Sequence, residues 1–306
     1  MRRPLFLFFF LILSFALPFG GLPSPARAGE VNISHNGLTL NANLEFAKGK
    51  SMADGLVLIT HGTLAHNKME FIAALQGLLK ERGQSSLAIN LSLGLDNRHG
   101  MYPCKETHTH KYTDALDEIG AWLQWLQGQG VKNVILAGHS RGGNQTAWFA
   151  AERDHPLISK VVLIAPGVWS KDKFAKSYAK TYNKMLGPVL ETAQRLAETG
   201  KGSTEMKNVD FLYCSDTTVT ASSFFSNYRD DERRDTVTVA TRIKKPVLFG
   251  IGSDDSVNPG LKELVAPIAD GKSIHYVEIE GAGHFFRDLY GEDLADAVAE
   301  FIGAEQ

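Results

Sequence analysis

Apolar residues follow two alternating rhythms along this chain: short unbroken runs, and longer segments in which they return every three or four positions. The unbroken runs are Gly55–Thr60, Val134–Ala137, Val161–Ala165 and Pro246–Ile251, and Ser86–Leu93 and Ser273–Ile279 read as further strands. Runs of this kind suit strands buried on both faces, as in a parallel sheet covered by helices. The helical repeat occupies Met69–Arg82, with Phe71, Ile72, Leu75, Leu78 and Leu79 on one face, and Asp114–Gln127, with Leu116, Ile119, Leu123 and Leu126 inward. Asn144–Ala150 and Glu292–Phe301 also have helix character. Gly37–Phe46 alternates, with Leu38, Leu40, Ala42, Leu44 and Phe46 on one side, which predicts a half-buried edge strand. Strand and helix in alternation predict an α/β fold, a doubly wound and mostly parallel sheet, with its sites at the carboxyl ends of the strands.

The rhythm breaks between Trp169 and Arg242. Phe174, Tyr178 and Tyr182 stack at helical spacing, Val189–Thr199 is amphipathic, and Phe211 to Tyr228 is aromatic and rich in turns. The segment reads as a cap of helices and loops, residues 169–242, inserted into a core formed by 29–168 and 243–306. Most of its aromatics are expected to seat the cap on the core. Those facing a pocket would make it apolar and suited to an acyl or aromatic group.

The amino terminus changes the picture. Arg2-Arg3 precedes an almost unbroken apolar run from Leu5 to Phe19, followed by Ala26-Arg27-Ala28. A run of about 15 residues is short of the roughly 20 that span a bilayer, and small-x-small is a cleavage pattern. Residues 1–28 are therefore expected to be a signal peptide, placing the mature chain in a periplasm or outside the cell, with the membrane involved only in export. The formal charge is −2. Removing residues 1–28, which hold three arginines and no acid, leaves −5. A mildly acidic surface excludes nucleic acid as a partner. Two cysteines remain, Cys104 and Cys214. An oxidising compartment favours their pairing. The alternative is two buried thiols, and separation in sequence does not decide between them. A bridge closing a loop of about 110 residues would contribute roughly 4–5 kcal/mol through chain entropy.

The candidate chemistry centres on Gly138-His139-Ser140-Arg141-Gly142, set between an apolar strand and a helix. A serine at a sharp strand-to-helix turn sits on a strained backbone, and the close approach of strand and helix demands small residues two positions either side. The helix amino terminus behind it favours developing negative charge. This stretch resembles the nucleophile elbow of the α/β-hydrolase family, in the serine esterase and lipase branch. The serine sets it apart from the aspartate of dehalogenases and the cysteine of dienelactone hydrolases.

A serine hydroxyl needs a base, and the base needs an orienting acid. Two later turns leave strands at the same sheet edge: Gly252-Ser253-Asp254-Asp255 and Glu280-Gly281-Ala282-Gly283-His284. His284 is the expected base. The resemblance selects Asp255 as the acid, three residues after Gly252, and leaves Asp254 to cap the turn. It also makes His61-Gly62-Thr63 similar to the family's oxyanion turn. The two oxyanion donors it implies are the backbone amides of Thr63, with Leu64 as substitute, and of Arg141, whose side chain is expected to face solvent. His61 is expected to be structural.

His99, His108 and His110 gather near Asp96 and Cys104 but match no zinc spacing. The family carries a loop similar to Asp96-Asn97-Arg98-His99-Gly100, which is expected at the pocket rim. No metal or cofactor is called for. The expectation is an exported serine hydrolase acting on a small-molecule carboxylic ester through an acyl-enzyme. Thioesterase, peptidase and perhydrolase chemistry would use the same triad, and a catalytically silent binding protein would show a broken one. Oligomeric state is left open.

Overall fold

The computed structural model describes residues 28–304, so the expected signal segment lies outside the described residues except for Ala28. The chain begins with an antiparallel hairpin, β1 (Gly29–His35) and β2 (Leu38–Glu45), closed by Asn36-Gly37 with φ of 49° and 79°. Asn-Gly tolerates the left-handed backbone that a two-residue hairpin turn needs. The core continues with β3 (Leu56–Thr60), α1 (Glu70–Glu81), β4 (Ser86–Asn90), α2 (Asp114–Gly128), β5 (Val134–His139), α3 (Arg141–Glu152) and β6 (Ile158–Ile164). The inserted segment supplies α4 (Lys171–Tyr182), α5 (Leu186–Glu198), β7 (Glu205–Phe211), β8 (Cys214–Thr220), α6 (Ala221–Tyr228) and α7 (Thr236–Ala240). The core resumes with β9 (Val247–Gly252), α8 (Leu261–Val265), β10 (Ile274–Ile279) and α9 (Leu289–Gly303).

Eight strands form one sheet in the order β1-β2-β4-β3-β5-β6-β9-β10, parallel from β4 onward and antiparallel at β1 and β2. The expected doubly wound, mostly parallel sheet is what is found. Along β3, Leu56 and Leu58 pack with α2 and α3, while Val57 and Ile59 pack with α1 and α9. That period of two on a strand with no exposed residue accounts for the continuous apolar run.

Two expectations change. The Gly37–Phe46 strand is not at the edge, because β1 lies outside it. Asn41 is the polar residue that conceals this: it is buried, and its amide donates to Asn97 and to the Arg98 carbonyl. The insertion is mainly helical but holds a hairpin, β7 and β8, where turn-rich aromatic sequence was expected. Its register is irregular between Met206 and Phe211, which blurs the strand alternation in the sequence. Among the described residues no helix is long and apolar enough to cross a membrane.

Candidate active site

Ser140 follows β5 and opens α3 with φ 56° and ψ −123°. A non-glycine residue held there costs about 1–3 kcal/mol, so the surroundings must over-determine it. They do: the Ser140 amide donates to the Ile164 carbonyl at 2.9 Å, and its carbonyl accepts from Gly167 at 2.9 Å. Gly138 and Gly142 are required by space. A Cβ on Gly138 would lie 2.5 Å from the Gly142 carbonyl, and one on Gly142 would strike the carbonyls of His61 and Thr60.

His284 arrives from the turn after β10 and Asp255 from the turn after β9. His284 Nδ1 donates to Asp255 Oδ2 at 2.8 Å, with both residues buried. Asp255 Oδ1 accepts from the amides of Val257 (2.8 Å) and Asn258 (3.0 Å). Burial works against the Asp255 carboxylate. Its bonds from His284 and these amides outweigh that and hold its pKa below the ordinary value. Asp254 makes no such contact; its amide donates to the Ala282 carbonyl, fastening the two turns together. Among the described residues no hydrogen bond joins the Ser140 hydroxyl to the His284 ring, whose only hydrogen bond is to Asp255. Nucleophile–base contacts of this kind commonly tighten only around a bound substrate.

Sequence reasoning missed His139. Its Nε2 donates to the His284 carbonyl at 2.9 Å, and its ring lies 4.8 Å from that of His284. Burial drives its pKa down to about 3, so it stays neutral and acts as a fixed brace between the elbow and the His284 turn. Arg98 was also missed. It is buried behind the oxyanion turn and donates to the carbonyls of Leu91, Ala65 and Gly100 and to Asn90 Oδ1. His61 is structural: Nδ1 donates to the Gly62 carbonyl (2.9 Å), and Nε2 accepts from the Leu91 amide (3.1 Å). Burial lowers its pKa to about 3. The loop expected at the pocket rim therefore braces Thr63 from behind, and its His99 lies at the surface on Glu30.

A cavity of about 220 Å³ opens over Ser140, lined by Thr63 and Arg141 as well as by residues of the insertion. Neither the Thr63 amide nor the Arg141 amide has an acceptor among the described residues; the latter is an orphan at the start of α3. The Arg141 side chain does not face solvent as expected. Its guanidinium stands 4.1 Å from the Tyr112 ring centroid, donates to Asn227 Oδ1 and lines the cavity. The insertion folds over the elbow and encloses what would otherwise be an exposed helix start.

Cys104 and Cys214 form a disulfide with their Cα atoms 5.3 Å apart. It joins the long connection after β4 to the first residue of β8. His108 in the same connection pairs with Val219 of β8, donating to the Thr218 carbonyl at 2.9 Å. His108 and His110 are buried among Tyr102 and Phe211.

The sequence model of the family described as Serine aminopeptidase, S33 matches residues 51–286. The chain belongs to this family. It is a serine hydrolase of the α/β-hydrolase fold. Among solved structures it is similar to Est1E from Butyrivibrio proteoclasticus, at 23% identity and a TM-score of 0.61 over 90% of this chain and 98% of that one. A second structure of that esterase holds ferulic acid, with 22% identity, a TM-score of 0.61 and coverage of 89% and 97%. A monoacylglycerol lipase of Paleococcus ferrophilus is 21% identical, with a TM-score of 0.60 over 86% of this chain and 98% of that one. No curated protein matches in sequence.

Proposed function

We propose that this serine hydrolase is an exported carboxylic ester hydrolase working through an acyl-enzyme on Ser140. The buried Asp255–His284 pair on the same sheet edge as the strained serine is the observation that carries this reading. Asp255 holds the imidazole with Nε2 free to take the Ser140 proton as the hydroxyl attacks the ester carbonyl. His284 returns that proton to the leaving alcohol, a general acid–base contribution of about 10²–10⁴-fold. The Thr63 and Arg141 amides receive the oxyanion, each donor worth roughly 3–4 kcal/mol in the transition state. Water then enters, His284 takes its proton as it attacks the acyl carbon, and that proton passes to Ser140 Oγ as the acid leaves.

The lining of the cavity favours an ester over a peptide amino terminus. A free α-amino group needs a carboxylate partner, and none of the described lining residues is Asp or Glu. Aromatic walls from Tyr112, Trp169, Phe174, Tyr178 and Tyr228 suit a short-chain or single-ring acyl group. The similar esterase that holds ferulic acid is consistent with such an occupant. Export is part of the proposal, supported by the amino-terminal sequence and by a disulfide that suits an oxidising compartment.

The test is pre-steady-state hydrolysis of 4-nitrophenyl acetate, with labelling by a fluorophosphonate. A burst of product and labelling of the wild type are expected, both lost in Ser140→Ala. Equal turnover in that variant would overturn the reading.

A further inference from the structure

Three arginines surround the catalytic turn, Arg98 and Arg234 buried and Arg141 half-buried, and they differ in how their charge is met. Arg98 is surrounded by carbonyl oxygens and needs nothing more. Arg234, only 3% exposed, has one hydrogen bond among the described residues, from Nη1 to the Arg229 carbonyl at 3.2 Å. Its Nε is buried without a partner among the described residues. Among the described residues the Arg141 side chain has a single acceptor, Asn227 Oδ1. Asn227 is itself fixed, because its amide nitrogen donates to the carbonyls of Ser223 and His110.

No carboxylate pairs with either arginine among the described residues. The nearby acids are engaged elsewhere: Asp231 by Arg229 and Arg233, Asp210 by Lys184, and Asp255 by His284. Both guanidiniums stand over the same Tyr112 ring, at 4.1 Å and 4.9 Å from its centroid. Arg234 also lies 4.8 Å from the Phe174 ring centroid and 5.5 Å from that of Trp169. Aromatic faces offset part of the cost of burying a cation, but they supply no hydrogen-bond acceptor for its N–H groups. Burial lowers the pKa of Arg234 to about 10, which still leaves it charged at neutral pH. Both side chains line the Ser140 cavity, and the half-buried Lys173 of α4 adds a third cation there.

We infer that this cavity selects esters carrying a second, oxyanionic group, a carboxylate or a phosphate, and that the side chains of Arg234 and Arg141 hold that group while Ser140 takes the ester carbonyl. The inference rests on the ester-hydrolase reading and narrows its substrate class. An oxyanion between two forked guanidiniums receives directed N–H donors and restores the missing countercharge. Because Arg234 is buried and Arg141 half-buried, the preference persists at physiological salt, where exposed charges are screened.

The test compares two substrates that share one glutaryl backbone, mono(4-nitrophenyl) glutarate and its neutral methyl ester, 4-nitrophenyl methyl glutarate, in the wild type. The expected result is a kcat/KM at least tenfold higher for the acid, mostly through a lower KM. A neutral ester turned over as well as the acid, or better, overturns the inference and leaves the esterase reading standing. If neither is hydrolysed and the fluorophosphonate does not label Ser140, the esterase reading falls and this inference with it. In Arg234→Met the ratio between the two substrates is expected to collapse toward one, with part of it kept in Arg234→Lys. A merely structural arginine would lower both rates together and leave the ratio intact, which also overturns the inference. A 4-nitrophenyl ester of 4-phosphonobutyrate separates the two oxyanions: a rate above that of the glutarate assigns a phosphate, and one below it a carboxylate.

Discussion

At the scale of single residues, the site is a set of groups whose roles follow from what holds them. Asp255 is fixed by two amides through one oxygen, so the other is presented to His284 in one geometry. Asp255→Asn keeps the shape but can offer an N–H where the imidazole needs an acceptor, favouring the wrong tautomer. A fall in kcat of about 10³–10⁴-fold with KM changed only a few-fold is expected from initial rates on 4-nitrophenyl acetate. A loss below tenfold would move the acid role elsewhere. The elbow, His284 and the adjacent aspartates could be singled out in the sequence as a turn between strand and helix, a histidine closing a glycine-rich turn, and an acid that the family resemblance selects. His139 and Arg98 were not. Each braces a catalytic segment through contacts made across the sheet, and nothing beside them in sequence names those partners. The Arg141 side chain was misplaced for a related reason, since its surroundings come from Tyr112 and Asn227.

At the scale of elements, two cross-links between distant segments invite measurement. The Cys104–Cys214 bridge closes a loop with a sequence separation of 110 and ties the connection after β4 to the β7–β8 hairpin. Replacing both cysteines by serine is expected to cost about 4–5 kcal/mol in denaturant unfolding. A loss under 1 kcal/mol would mean that the unfolded chain gains little freedom without the bridge. The second link is Glu118 of α2, buried and accepting from the Ser92 amide at 2.8 Å and the Ser92 hydroxyl at 2.5 Å. Burial raises its pKa to about 7, above the 4.5 of an ordinary glutamate. The folded state therefore holds this proton more tightly than the unfolded chain, and the group's contribution falls as pH rises from about 4.5 to 7. Relative to the wild type, Glu118→Gln should gain roughly 3 kcal/mol between pH 4.5 and pH 8. Parallel stability curves for the two proteins would contradict this. The β1 strand is marked in the sequence only by the Asn36-Gly37 hairpin turn that follows it, because Val31 and Ile33 alone give too short an apolar alternation to predict a strand.

At the scale of the whole molecule, buried histidines dominate the response to acid. His61 and His139 have pKa values lowered to about 3 and His108 to about 4, in each case chiefly by burial. Below the ordinary histidine value near 6.5 the unfolded chain takes up these protons and the folded chain does not, so stability falls with pH. Each fully buried histidine contributes about 1.4 kcal/mol per pH unit in that range, and the opposing effect of Glu118 offsets only one of them. The melting temperature should therefore drop steeply from pH 6.5 to 4.5 in scanning calorimetry. His108→Phe is expected to shallow that slope, since the ring nitrogens of His108 have no partner to lose. A melting temperature that rises toward pH 4.5 would refute the assignment.

The main strands and helices of the core from β2 onward, the parallel character of the sheet, the position of the serine and the turns bearing its candidate partners were determined by the sequence. Each depends on periodicity or turn chemistry within a few neighbouring residues. The tertiary structure decided which oxygen faces His284, how the insertion's hairpin lies against the long connection after β4, and that two arginines share one ring inside the cavity without a carboxylate. Those outcomes depend on which distant segments pack together and on the charges left unmatched when they do, and no local pattern encodes either.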